Sequence, residues 1–505
     1  MMGYQTRVQN KLFYTNLNLD QRIRKDHILR KINACIDFDF IYNKVKDKYG
    51  FKGNVSVPPP VILKMMLLLV FYNIRSEREL VLTIPERLDW LWFLGYDLDD
   101  EIPNHSVLSK ARNRWGVDAF QTFFENLVWQ CAEAGLVDGS KLFMDSSMVQ
   151  ADASNNSVVN KESLKRYLNK SYQILESRLE QEQQCSDSDD AIKSGTANQK
   201  YISTTDPDAS VTRRGSGKST LKYQIHRGVD QKCEVITATE VTPGEVHESH
   251  RLESLIDSHE KNTESTVDTA VADSKYGSIE NYLACRDRGI KPHFSSLEQT
   301  QKGTGTKKGI FPKEAFTYHA ETDTFTCPAG QSLKRRKFFK KRQHYEYIAS
   351  ASTCNRCQLK KQCTKAKSGR TLKRHVKQDD LDSMLRQASS PESKKDIRTR
   401  QHLMERTFAQ ATRYGFKRAR WRRLWRVQIQ EYLTAAIQNI KILLKDVKEP
   451  ATALAMQVAI EVSNKASRTK SYSLSNLFNP KWYDIARFCL TCEKLLPYHH
   501  AEIIG

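Results

Sequence analysis

The sequence predicts an α/β protein, with a mixed sheet and flanking helices, an all-helical N-terminal domain and a small cysteine-rich insertion. Three observations support this prediction. Apolar residues recur at helical spacing through residues 1–135, whereas apolar runs of strand length begin at residue 136. Four cysteines lie close together, between residues 327 and 363. A chain of 505 residues is also long enough to form several domains.

The N-terminal domain, residues 1–135, is predicted to be helical throughout. Two serines, Ser76 and Ser106, precede helix-like stretches and are predicted N-caps, because a serine hydroxyl can accept a hydrogen bond from a free backbone N–H group. Apolar spacing predicts helices at Val61–Ile74, Leu88–Leu94 and Phe120–Cys131.

A basic helix is predicted near the end of this domain. The segment 103–114 would carry Lys110, Arg112 and Arg114, and such a helix suits contact with phosphates or with a DNA groove. The alternative is a solvated helical face without a partner.

The next region, residues 136–300, is predicted to form the first part of a mixed sheet. A hairpin is expected near residues 230–232, and the helix-like stretches Glu248–His259 and Ile279–Arg288 are predicted crossovers. The predicted strands are Lys141–Asp145, Leu221–Val229, Cys233–Val241, Thr269–Asp273 and Gly289–Phe294.

The charge of the chain indicates a polyanionic partner. Its formal net charge is +21 at pH 7, and an excess of that size favours nucleic acid through the release of counterions. A membrane surface would also attract a basic protein, so charge alone leaves both open. No signal-peptide or membrane-span pattern is seen, and 11 mostly scattered cysteines are typical of a reduced cytoplasmic protein.

Two aspartates share a sequence context that is typical of metal ligands. Asp145 and Asp273 each end an apolar, strand-like run and are followed by small polar residues. Carboxylates brought together at neighbouring strand ends repel each other unless a cation such as Mg²⁺ or Mn²⁺ lies between them. The alternative is that each aspartate only caps the turn that follows its strand.

A third acid, Glu405, lies in a helix-like stretch with apolar Leu403, Met404 and Phe408. If these apolar residues hold one face of the helix on the sheet, Glu405 would point towards the strand ends.

Three motifs occur in order along the chain: LFMDSS at 142–147, VADSKYGS at 271–278, and MERTFA at 404–409 followed by YGFKRAR at 414–420. Together they resemble the DDE transposases of bacterial insertion sequences, and more narrowly the branch with a four-cysteine insertion before the glutamate. The resemblance extends from the helical domain to about residue 445. It implies an RNase H-like fold, with Asp145, Asp273 and Glu405 as ligands of two Mg²⁺ (or Mn²⁺) ions.

The resemblance also implies an activity and its partners. A family member cleaves DNA at the element's terminal inverted repeats by metal-dependent hydrolysis and joins the freed 3′-hydroxyl to target DNA. It works as a homodimer assembled on double-stranded DNA in the bacterial cytoplasm, associated with the nucleoid. One departure concerns basic residues that many relatives carry on the glutamate helix. Gln401 and Thr412 occupy those positions here, and Arg400 and Arg413 are displaced by one.

The cysteine-rich insertion is predicted to span residues 301–385. Its cysteines suit a closed, structural zinc site, while free thiols and an iron–sulfur cluster are alternatives. It also carries a basic stretch that could hold phosphates. The predicted zinc ligands are Cys327, Cys354, Cys357 and Cys363, and the predicted phosphate contacts are Lys334, Arg335, Arg336 and Lys337.

Further cations follow the glutamate, in the part of the sheet domain that is expected to span residues 386–446. Trp421 and Trp425, four residues apart, are predicted to lie on one buried helix face, with the cations facing DNA on the other. A tail is predicted at 447–505. The predicted DNA contacts here are Arg413, Lys417, Arg418 and Arg420.

Two other functions fit parts of the sequence. A transposase-derived DNA-binding protein that has lost catalysis would need only the helical domain and the cysteine module, but all three acids are present. A hydrolytic RNase H-like nuclease would not need the cysteine insertion or the helical domain.

Overall fold

The computed structural model describes residues 2–3, 18–50, 52–161, 196–213, 217–295, 310–366 and 369–446. Residues up to Asp446 form one compact unit. The predicted tail, residues 447–505, lies outside the described residues. Across those residues, every helix is too short or too polar to span a bilayer.

The N-terminal region is helical, as its apolar spacing predicts. The helices are α1 (Leu19–Arg22), α2 (Ile28–Cys35), α3 (Phe40–Val45), α4 (Pro59–Phe71), α5 (Glu77–Thr83), α6 (Leu88–Leu94), α7 (Ser106–Trp115) and α8 (Asp118–Glu133). The central helix α4 is buried along almost its whole length, because apolar residues surround its axis.

The two predicted N-caps have different outcomes. The Ser76 hydroxyl accepts a hydrogen bond from Glu79 N at 3.1 Å and caps α5, as predicted. The prediction for Ser106 is wrong, because Ser106 is already the first helical residue of α7. Its own N–H donates to Asn104 Oδ1 at 2.9 Å, so the side chain of Asn104, and not that of Ser106, accepts a hydrogen bond from a backbone N–H at the start of α7.

A six-stranded mixed sheet forms the centre of the molecule. Its strands are β1 (Lys141–Gln150), β4 (Ser210–Thr212), β5 (Thr220–Asp230), β6 (Ile236–Pro243), β7 (Thr269–Val271) and β8 (Lys291–His293), while β2 (Val158–Asn160) and β3 (Tyr201–Ser203) pair separately. Strand β1 lies between β5, to which it is antiparallel, and β7, to which it is parallel; β8 is parallel to β7, and β6 forms the predicted hairpin with β5. The short strand β4 extends the β5 edge.

Helices cover the sheet and join it to the N-terminal helices. They are α9 (Thr196–Lys200), α10 (Leu252–Thr263), α11 (Ile279–Asp287), α14 (Gln378–Ala388), α15 (Pro391–Ala411) and α16 (Leu424–Asp446). A fully buried ion pair, Arg227 Nε to Glu431 Oε1 at 2.6 Å, fixes α16 to β5, and α16 also packs on α8.

The two tryptophans do not share a buried helix face. Trp421 precedes α16, which begins at Leu424, and both Trp421 and Trp425 are only half-buried. Trp421 Nε1 instead donates to Glu77 Oε1 at 3.2 Å. The prediction of a common core face is therefore wrong, because the helix starts after the first tryptophan.

The cysteine-rich region folds as a second sheet of five antiparallel strands. Its elements are β9 (Thr317–His319), β10 (Thr324–Thr326), β11 (Ser332–Phe339), β12 (His344–Ile348), α12 (Ala351–Arg356), α13 (Lys360–Cys363) and β13 (Thr371–His375). The strand order is β13-β12-β11-β10-β9. A small apolar core that includes Phe316, Leu333 and Tyr347 holds the sheet together.

Candidate active site

The two predicted aspartates lie side by side on neighbouring parallel strands. The last paired residues of β1 and β7 are Phe143 and Val271, and Asp145 and Asp273 each lie two residues further along. Because the strands are parallel and in register, their side chains reach the same level of the sheet. The prediction that Asp145 ends its strand is wrong. Strand β1 continues to Gln150, because β5 still pairs with it there.

The Asp145 carboxylate is mostly buried and is held by two donors. Arg400 Nη1, from α15, lies 2.6 Å from its Oδ2, and Ser146 N donates to its Oδ1 at 2.8 Å. Burial raises the pKa of Asp145, and the Arg400 guanidinium partly offsets this rise. The arginine that is displaced from the expected position on the helix therefore contacts one of the two aspartates.

Asp273 caps the short 3₁₀ turn that follows β7, by accepting a hydrogen bond from Lys275 N at 2.9 Å. Burial raises its pKa, and the nearby charge of Glu248 raises it further. The capping interpretation and the metal-ligand interpretation are thus compatible, because the turn bond uses only Oδ1.

The third acid at this place is Glu248, which the apolar pattern marks only as the start of a predicted crossover helix. Carboxylate oxygens of Asp145, Glu248 and Asp273 all lie within 4.8 Å of one another, the single such acidic or thiol group in the described residues. Glu248 begins a 3₁₀ turn between β6 and α10. Glu248 lies five residues after β6 ends at Pro243, so the strand-end context that marked Asp273 does not mark Glu248.

Glu405 lies outside this group. It is exposed on α15, and its Oε1 accepts a hydrogen bond from Gln401 Nε2 at 3.2 Å. Leu403 and Met404 are buried, as predicted, but the side chain that this helix extends to the aspartates is Arg400. The role of Glu405 stays a prediction.

Comparison with protein-family models gives two matches. Residues 17–114 match a model described as Transposase domain (DUF772), and residues 326–444 match one described as Transposase DDE domain. Both matches support a DDE transposase of an insertion sequence. No curated protein and no solved structure matches it.

The two matches differ in what they cover of this transposase. Glu405 and the four clustered cysteines fall within the second matched stretch, while the acidic group lies between the two stretches. The evidence that Asp145, Glu248 and Asp273 form a site is therefore their geometry.

The four cysteines of the transposase line a common pocket. Cys327, Cys354, Cys357 and Cys363 are free and partly buried around it. Burial raises the pKa of Cys363, and the neighbouring three cysteines raise it further, although Arg370 opposes them. Their sulfur atoms do not all approach within 4.8 Å of one another. Zinc binding stays a prediction.

The predicted DNA-contacting residues divide into exposed and buried side chains. Arg112 is 3% exposed, forms an ion pair with Glu77 and stacks on Trp421 at 4.1 Å, so its predicted phosphate contact does not agree with the structure. Arg420 is half-buried and bonded to the backbone oxygens of Ile74 and Tyr414. The exposed ones are Lys110, Arg114, Lys334, Arg335, Arg336, Lys337, Arg413, Lys417 and Arg418.

Proposed function

We propose that this transposase binds the terminal inverted repeats of an insertion sequence, cleaves DNA there by metal-dependent phosphodiester hydrolysis, and joins the 3′-hydroxyl ends to target DNA. One observation supports this most directly. The two motif aspartates, far apart in sequence, hold their carboxylates together with a third acid in a largely buried site.

The residues at this site fit Mg²⁺ or Mn²⁺. They offer carboxylate oxygens, which are the ligands these hard cations prefer, and Oε2 of buried Glu248 has no hydrogen-bond partner among the described residues. Two bound cations would supply the Lewis acidity that activates a water or a 3′-hydroxyl and stabilises the leaving oxygen. Asp145 and Asp273 would hold them, Ser146 N and Lys275 N would orient the carboxylates, and Arg400 would balance their charge.

Glu405 is the remaining ligand in this proposal, and it is assigned by resemblance. It lies on the helix that already reaches Asp145 through Arg400. A cation bound at Asp145 would compete with that guanidinium, because both are attracted to the same carboxylate.

The strand order supports an RNase H-like fold for the catalytic domain. Three antiparallel strands, β6, β5 and β1, continue into β7 and β8, which run parallel to β1. Helices α10, α11 and α15 pack against this sheet and form a layered α/β structure. The acids meet at one edge of the sheet.

The exposed cations would hold the DNA. Strand β11 presents Lys334, Arg335, Arg336 and Lys337 to solvent beside exposed Phe338, a combination that suits phosphates and unstacked bases. Its sheet would be stabilised by a structural zinc bound to the four cysteines. A homodimer would hold the two element ends together, within the cytoplasm and at the nucleoid, where the DNA is.

The test is cleavage of a labelled duplex that carries the element's end, followed by capture of the product in a target plasmid. Nicks at the end and joined products are expected in Mg²⁺ and neither in EDTA. Nicks without joining would indicate a hydrolytic nuclease, and specific binding without nicks would indicate a DNA-binding protein that has lost catalysis. Either result would overturn the proposal.

A further inference from the structure

We propose that Glu248 is a direct ligand of a divalent cation at the Asp145–Asp273 site. This inference rests on the proposed function, and it adds a ligand that neither the motifs nor the family models assign. It starts from the geometry, in which one oxygen of Glu248 lies within 4.8 Å of oxygens of both aspartates.

The side chain of Glu248 is fixed so that one oxygen is left free. Gln224 Nε2 donates to Oε1 at 2.9 Å, and Lys275 Nζ lies 2.5 Å from the same atom. Oε2 has no partner among the described residues, although Glu248 is only 4% exposed. A buried carboxylate oxygen without a donor is costly, and a cation would remove that cost.

A neighbouring side chain gives a second, independent indication. Tyr276 is fully buried, follows Asp273 in the same turn, and is close enough to feel the charges of all three acids. Its hydroxyl also lacks a partner in the described part of the chain. A cation and its water molecules would supply partners for these two buried polar atoms beside the three carboxylates.

The charges at the site also fit one in which a metal ion can replace a basic side chain. Three carboxylates face two basic partners, Arg400 on Asp145 and Lys275 on Glu248. The Lys275 side chain is 52% exposed, so it can leave Glu248 when a metal ion binds. Arg400 is buried and would stay close.

The first experiment maps the ion in the wild-type chain without DNA. Fe²⁺ replaces Mg²⁺, and ascorbate with peroxide generates radicals that cut the backbone near the bound ion. We expect cuts around residues 145, 248 and 273. Cuts at 145 and 273 with none at 248 would overturn the inference while leaving the proposed metal site intact.

The second experiment measures Mn²⁺ affinity by calorimetry on full-length variants. Glu248→Gln should weaken binding at least about tenfold, because one of the charged ligands is lost. The matched control is Glu240→Gln, since Glu240 lies nearby on β6 but bonds to Arg251 and Ser254. It should bind like the wild type.

The outcomes separate the inference from the proposed function. Wild-type affinity in Glu248→Gln, together with loss of binding in Asp145→Asn, would overturn only the inference. A wild-type chain that binds no Mn²⁺ would overturn both. If Glu248→Gln does not fold, an absence of radical cuts at 248 in the wild-type chain still overturns the inference.

Discussion

The acidic group and the basic strand β11 hold their charges in opposite ways. Asp145, Glu248 and Asp273 converge within 4.8 Å in a largely buried site, where named donors fix each carboxylate. The basic side chains of β11 are exposed, and the strand lies in a small sheet with a core of its own. Negative charges lie close together in the acidic group, whereas the positive charges of β11 lie along a strand that is exposed to solvent.

This difference indicates what each region can do. Burial strengthens electrostatic interactions, so the acids can hold a cation at a fixed place. Each buried carboxylate also needs accurately placed partners, because an unpaired buried charge is costly. Exposed cations interact weakly and additively, so they suit a long polyanion whose position along the surface can vary. A change in the acidic group should therefore remove a function, whereas a change in β11 should weaken one.

The largest effect is expected at the aspartates. Asp145→Asn or Asp273→Asn should lower end cleavage and strand transfer by about 10³-fold or more, because a charged ligand is lost from a low-dielectric site. DNA binding should survive. Cleavage of a labelled duplex and a gel-shift titration measure the two properties.

The control for this prediction is Asp152→Asn. Asp152 follows β1 but forms ion pairs with Arg418 and Arg422 at the surface. It should stay largely active. Near-normal cleavage by Asp145→Asn would contradict the difference between the two regions, and loss of cleavage in Asp152→Asn alone would identify Asp152, not Asp145, as the metal ligand.

The second effect concerns the stability of the basic sheet. If its cysteines bind zinc, the purified chain should contain about one zinc, and the double variant Cys354→Ser/Cys357→Ser should lose the metal and unfold at a lower temperature. Metal analysis and thermal melting test this. Cys233→Ser, outside the cluster, should keep the zinc; a wild-type protein free of zinc would contradict the prediction.

A smaller effect is expected from neutralising β11. The triple variant K334Q/R336Q/K337Q should lower the slope of log affinity against log salt by about 0.9 for each phosphate that the variant no longer neutralises. Arg335 is left in place because it pairs with Asp323 at 2.9 Å and stacks on Tyr345.

The matched control for this triple variant neutralises exposed lysines elsewhere. Lys232 and Lys291 lie at the end of the sheet away from the acids. Binding titrations at several salt concentrations should show an unchanged slope for K232Q/K291Q. Equal slopes for both variants would mean that β11 is a solvated strand.

The smallest effect concerns pH. Burial, with smaller contributions from the charges of Arg251 and Lys275, lowers the pKa of His226 on β5 to about 3. Since the unfolded state binds a proton at about pH 6.5, stability should fall as the pH drops below 6.5, by up to about 1.4 kcal/mol per pH unit. Urea unfolding between pH 7 and pH 4.5 measures it, and His226→Gln should reduce the slope. The control His319→Gln, on exposed β9, should leave it unchanged.

Signals that act within a few residues were enough to predict the local structure. Apolar spacing located α6 at Leu88–Leu94, and the Ser76 hydroxyl marked the start of α5, because both signals act within a few residues. The sequence also identified Asp145 and Asp273, since each follows an apolar run that becomes a buried strand.

Which charged groups meet depends on the packing of distant segments, and the sequence did not predict it. Arg112 is buried because Glu77 and Trp421, distant in sequence, pack against it, and Arg400 replaces Glu405 beside Asp145 because of how α15 lies on the sheet. Glu248 joins the two aspartates only when β6 and α10 are in place. Periodicity reports which face of an element is apolar, but the partner of a buried charge depends on interactions between distant segments, and these are formed only by folding.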